Sequence, residues 1–84
     1  MTERLTLNLE PAEGAVIRVL GLVERRGYKL KGLSFNDQAE RSSLVIDVEP
    51  RDASRRVPVL AQQLGRLVDV HSVSLATRDA GSSA

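Results

Sequence analysis

Glu13-Gly14-Ala15 stands where an alternating stretch of the chain gives way to a helical one. The first N–H groups of a helix have no partner inside it and collect the positive end of its dipole. Such a turn can hold a carboxylate, and a glycine lets a ligand approach the backbone closely. Basic side chains are densest at Arg25, Arg26, Lys29 and Lys31. That run reads either as an anion or nucleic-acid patch or, more simply, as a charged helix end followed by a solvated strand face. Catalytic groups do not converge. His71 is the only histidine, with no second histidine or cysteine to share a metal and no serine or cysteine at a nucleophile's spacing. Asp47 and Glu49 share one strand face and read as solvated acids rather than an acid/base pair. No catalytic residue and no metal ligand are expected.

These groups must be positioned by a small scaffold. At 84 residues the chain is one domain whose core is only marginally adequate, and chains of this size often gain stability by oligomerising. Tyr28 and Phe35 are the only aromatic residues, so the core must be aliphatic. The absence of cysteine excludes disulfides, cysteine-based zinc sites and thiol catalysis. The first ten residues carry charges where a signal peptide needs an apolar stretch, and no run is long enough to cross a membrane, so a cytoplasmic location is expected. A net charge of +1 gives no global steering toward nucleic acid or membrane.

Residues 4–10 alternate, with Leu5, Leu7 and Leu9 on one face, which is the pattern of a strand with one wet side. Pro11 ends it, having no N–H for a ladder. Val16, Val19, Leu20 and Val23 then mark a helix stripe, with Glu13 complementing the dipole at its start and Arg25 and Arg26 at its end. Gly27 is expected as a left-handed stop, and Gly21, costly inside a helix, as a point of close packing. Residues 28–35 read as a strand whose phase slips at Gly32, where a bulge is expected. Residues 36–42 suit a connection, and residues 43–49 a strand with Leu44, Ile46 and Val48 inward. A second helix is marked by Val57, Leu60, Ala61, Leu64 and Leu67, with Asp52 or Ser54 as candidate N-cap and Pro58 in or just after its first turn. The last strand, residues 70–77, groups His71, Val73, Leu75 and Thr77 on one parity. Residues 78–84 have nothing to bury and are expected as a disordered tail beyond a domain spanning residues 1–77. The order β-α-β-β-α-β gives an α+β, ferredoxin-like fold: a four-stranded antiparallel sheet with two helices on one face. This topology also hosts RNA-binding modules that stack bases on sheet aromatics. The outward positions here (Thr6, Asn8 and Glu10; Val45, Asp47 and Glu49) carry no ring, so no nucleic-acid partner is expected.

Gly14-Ala15 with Arg18-Val19, the Arg26-Gly27-Tyr28 stop, and Gln63-Leu64 leading to Leu67-Val68-Asp69-Val70 occur in the order found in the small regulatory subunits of acetolactate synthase. From about Leu5 to Leu75 the chain resembles that family, which is built on the ACT domain. Its short length, with one ACT domain and no C-terminal extension, looks most like the type II isozyme's small subunit. The resemblance implies a non-catalytic protein with no cofactor of its own. Its partner would be a large catalytic subunit holding thiamine diphosphate, magnesium and FAD, which condenses pyruvate with a second 2-keto acid on the route to the branched-chain amino acids. The family's small subunit raises the large one's activity and in some isozymes confers feedback inhibition by valine. ACT domains commonly pair edge to edge as homodimers, with an amino-acid effector at that interface against the first helix's N-terminus and the second strand.

Carried over by resemblance, the effector-binding positions are Glu13, Gly14, Ala15 and Lys29. Two departures matter. Valine-sensing members usually carry Asn where this chain has Pro11 and again where it has Lys29. Pro11 donates from neither side chain nor backbone, and Lys29 is a donor-only cation in place of an amide. A regulatory subunit with weak or no valine response is therefore expected. The rival reading is a stand-alone ACT-domain sensor that binds an amino acid at a dimer interface. An acylphosphatase-like enzyme of similar topology would need an arginine and asparagine constellation that this sequence does not present.

Overall fold

Leucines at every second position of the first strand place three large side chains on one side of an extended backbone, and that side becomes the centre of the core. The computed structural model describes residues 2–10, 14–37 and 40–77. The elements are β1 (Glu3–Leu9), α1 (Ala15–Arg25), β2 (Tyr28–Asp37), β3 (Ser42–Pro50), α2 (Val57–Leu64) and β4 (Val70–Thr77). The strands form one antiparallel sheet in the order β2-β3-β1-β4, so β1 lies inside and β2 and β4 form the edges. Leu5, Leu7 and Leu9 of β1 and Leu44, Ile46 and Val48 of β3 are all buried. Val19, Leu22 and Val23 of α1 and Val57, Leu60 and Leu64 of α2 join them in one aliphatic cluster. The expected ferredoxin-like architecture is the observed one. Among the described residues no helix is long and apolar enough to cross a membrane.

Several local expectations are corrected. β2 runs on through Asn36 and Asp37, placed by sequence in the connection, because both residues stay in register with Ser43 and Ser42 of β3. α2 ends at Leu64, although Leu67 keeps the apolar period. The chain turns there through Leu67 N–H to Leu64 O at 3.1 Å, and Leu67 still packs against the core. Arg56 occupies the N-cap position of α2 without a side-chain bond. Asp52 is spent instead on its own turn, accepting from Ser54 N at 3.0 Å and Ser54 Oγ at 2.5 Å. These two bonds hold the Asp52 carboxyl below its ordinary range.

Gly21 marks no close packing within the chain, since a methyl group built on it would meet none of the described residues within 4 Å. Gly27 does take the left-handed conformation, at φ 89°, immediately after the last residues of α1. The slip in β2 falls between Leu30 and Gly32 and leaves Lys31 as the extra residue. A second irregularity lies where Leu9 pairs with Val70 while Asn8 pairs with Ser72, so His71 is the odd residue of β4. Val70 therefore joins Val73 on the core side, and His71 does not share the inward parity. The expected tail, residues 78–84, and Pro11 lie outside the described residues.

Candidate functional site

The turn from β1 into α1 is tied down from the far end of the chain. Gly14 precedes α1 at φ 84°, a left-handed conformation that L side chains rarely adopt, and its carbonyl accepts from Arg18 N at 3.0 Å. The Arg18 side chain folds back over this glycine. A Cβ on Gly14 would lie 3.1 Å from Arg18 Nη1. The same guanidinium donates through Nε to Asp69 Oδ2 at 2.7 Å and also bonds that oxygen through Nη2. Glu10 N–H donates to the Asp69 carbonyl at 2.8 Å, and the Glu10 carboxylate pairs with His71 Nε2. Asp69 thus holds both the exit of β1 and the first turn of α1.

No described side chain caps α1, and its first turn contains no acid. What this turn offers is donors: the leading N–H groups of the helix beside a guanidinium, over a glycine with no side chain in the way. That set suits a carboxylate. The Arg18 charge, however, already faces Asp69, whose side chain is only 14% exposed.

Of the residues expected at this site, Gly14 and Ala15 lie at the turn, with Ala15 buried, and Glu13 lies outside the described residues. Lys29 is not brought to the turn within one chain. It stands on β2 opposite Glu49, beyond the other end of α1, whose 11 residues span about 16 Å. Arg18 and Asp69 were given no role from sequence alone. One signal was available: a cation in the first turn of a helix opposes the dipole, so it calls for an acid from elsewhere.

The remaining candidates have structural settings. Asp47 is bound by Arg4, with Nε to Oδ1 at 2.9 Å, on the sheet face away from the helices. The hydrogen bond to Asp47, and after it the Asp47 charge, hold the Arg4 guanidinium even more firmly protonated. Arg25, Arg26, Lys29 and Lys31 are all exposed. Among the described residues no three histidine, aspartate or glutamate side chains gather as a metal site.

The family model described as "ACT domain" matches residues 11–73. No curated protein sequence matches the chain. Solved structures share the fold at low identity. The ACT domain of a GTP pyrophosphokinase from Chlorobium tepidum aligns with TM-score 0.75 at 11% identity, covering 89% of this chain and 96% of that one. An ACT domain protein from Streptococcus pneumoniae gives 0.75 at 16%, covering 93% and 90%. A phospho-2-dehydro-3-deoxyheptonate aldolase from Thermotoga maritima gives 0.69 at 21%, covering 94% of this chain but 21% of the enzyme.

Proposed function

This chain belongs to the ACT domain family, and from its motif resemblance to one branch of such proteins we propose that it is the regulatory small subunit of an acetolactate synthase, with weak or no valine feedback. An ACT domain is a regulatory module, not a catalytic one. In this reading the chain docks on the large subunit that carries thiamine diphosphate, magnesium and FAD. It activates that subunit by binding its active arrangement more tightly than its inactive one.

The observation that carries association with a second copy, the form in which the chain would dock, is a strip of uncovered apolar surface where α1 meets β2. Ile17, Leu20, Gly21 and Leu30 line a shallow groove there. Ile17 is 74% exposed, and Leu33 and Phe35 follow Leu30 on the same side of β2 at 48% and 45%. β2 is also an edge strand, with one side of its backbone unpaired in the sheet. A second copy adding its own β2 antiparallel would continue the sheet and cover the strip. Such pairing would also set Lys29 of one copy near the Gly14 turn of the other.

The weak valine response rests on charge. Arg18 faces Asp69 already, Lys29 offers donors only, and Pro11 offers none. The test is co-expression with a thiamine-diphosphate large subunit, followed by pull-down and an acetolactate assay with and without this chain. Capture together with raised turnover supports the reading, and separate elution with unchanged turnover overturns it. The second reading, a stand-alone sensor, is favoured by the leading N–H groups of α1 beside Gly14, which no described side chain caps. It predicts an amino acid that co-purifies with the chain alone.

A further inference from the structure

At the end of α1 remote from Gly14, an open cavity of about 200 Å³ lies between the helix terminus and the start of α2. Arg26, Arg55 and Arg56 line it together with Gln63, and Tyr28 contributes to its wall. Three guanidinium groups bring N–H donors and no acceptor. Among the described residues the lining contains no acid. The nearest described one, Asp52, is 3.7 Å from Arg55 Nε and is bonded to Ser54. Among the described residues, Arg26 and Arg56 have no acidic partner.

The arrangement is held in place. Tyr28 OH donates to the Arg56 carbonyl at 2.6 Å and fixes the main chain that carries the second and third arginines. The Arg55 side chain crosses Gly27 so closely that a Cβ there would strike Arg55 Nε. Helix electrostatics account for one of the three charges only. Arg26 follows the C-terminus of α1, where a cation is favoured. Arg55 and Arg56 precede the N-terminus of α2, where a cation is disfavoured, and the first turn of that helix carries no acid.

We propose that this cavity binds a dianionic phosphate group, free or carried by a small metabolite. With Arg55 partly offset by Asp52, the lining retains about two positive charges, the complement of a phosphate monoester with its −1.5 to −2 charge and three acceptor oxygens. Planar guanidinium forks meet such oxygens two at a time. The volume leaves room for a phosphate and a small organic remainder. The site stands apart from the turn at Gly14, at the opposite end of α1, and does not depend on which large subunit the chain serves.

The test is a titration of the isotope-labelled full chain, followed by backbone and arginine side-chain NMR. Inorganic phosphate, glycerol 3-phosphate and sodium chloride are added at matched ionic strength. Saturable shifts confined to Arg26, residues 54–59 and Gln63 are expected for the two phosphates and not for chloride. Arg26→Gln with Arg56→Gln should weaken the apparent affinity at least tenfold. Lys31→Gln with Arg66→Gln should leave it unchanged. All four positions are exposed, and the spectrum itself reports whether each variant is folded. Tighter binding of glycerol 3-phosphate would identify an esterified ligand, and equal or weaker binding free phosphate. Shifts that track ionic strength, persist in the double arginine variant, or arise only with a short RNA or a phosphopeptide would overturn the proposal.

Discussion

Arg18 Nε bonds Asp69 Oδ2 at 2.7 Å across 51 positions of sequence, with the guanidinium lying against Gly14. The pair clamps the loop before β4 onto the turn where α1 starts, and it also occupies the cation that a ligand's carboxylate would seek. Asp69→Asn is therefore expected to act in two directions. Stability should fall by about 1 kcal/mol, because the pair is half-exposed on the arginine side. Affinity for an amino-acid carboxylate should rise severalfold as Arg18 is released. Urea denaturation and calorimetric titration with valine and with acetate check the two halves. Unchanged affinity in the variant would place the carboxylate elsewhere.

Three glycines sort by what surrounds them. Gly27→Ala should be the worst, costing about 1–2 kcal/mol of backbone strain, with a further cost for displacing Arg55, which lies where the new methyl would go. Gly14→Ala carries similar strain at φ 84°, but the contacting atom is the end of the flexible Arg18 side chain. Gly21→Ala should stabilise a monomer by about 1 kcal/mol, since it sits inside α1 facing open space. Equilibrium urea curves at low protein concentration give the ranking. Destabilisation by Gly21→Ala would show that the position is already covered.

The β-α-β-β-α-β order was readable because each element keeps its own period: alternation in β1 and β3, and the Val16, Val19, Leu20, Val23 stripe in α1. The bulge in β2 was also readable, because Leu30 and Leu33 fall on opposite parities. The irregularity at His71 was hidden. Val70 falls on the opposite parity from Val73, and the alternation of His71, Val73, Leu75 and Thr77 looks regular without it. α2 was overrun because Leu67 satisfies the helical period from a turn that packs against the same core. The Arg18–Asp69 clamp and the arginine-lined cavity depend on which chain ends the fold brings together, and no local pattern carries that information.

Phe35 is half-exposed on the edge strand, in register with the fully buried Leu44. Phe35→Ser should change the folding stability of a single chain little, because the ring rests only partly on the core. If copies pair through β2, the same change removes apolar area from the interface and should weaken self-association at least tenfold. Sedimentation equilibrium of both proteins measures this. Equal association constants would exclude the α1–β2 strip as the contact between copies.

Tyr28 is buried at 3% exposure and donates its hydroxyl proton to Arg56 O at 2.6 Å. Burial pushes its pKa above the ordinary tyrosine value, and the positive charge of Arg55 offsets part of that rise. The folded state therefore holds this proton more tightly than the unfolded chain does. Above the unfolded value of about 10, the unfolded chain binds fewer protons, so stability falls as pH rises until the folded pKa is passed. Below that window the contribution is fully present. Tyr28→Phe should cost about 1 kcal/mol at neutral pH through the lost bond. The stability difference between the two proteins should then shrink above about pH 10, because only the wild type has a proton to lose there. With one tyrosine and no tryptophan in the chain, tyrosinate absorbance reports Tyr28 alone, and its midpoint should lie above that of the unfolded protein. Parallel stability curves for wild type and Tyr28→Phe, or a midpoint equal to the unfolded one, would show that the hydroxyl is not held as described.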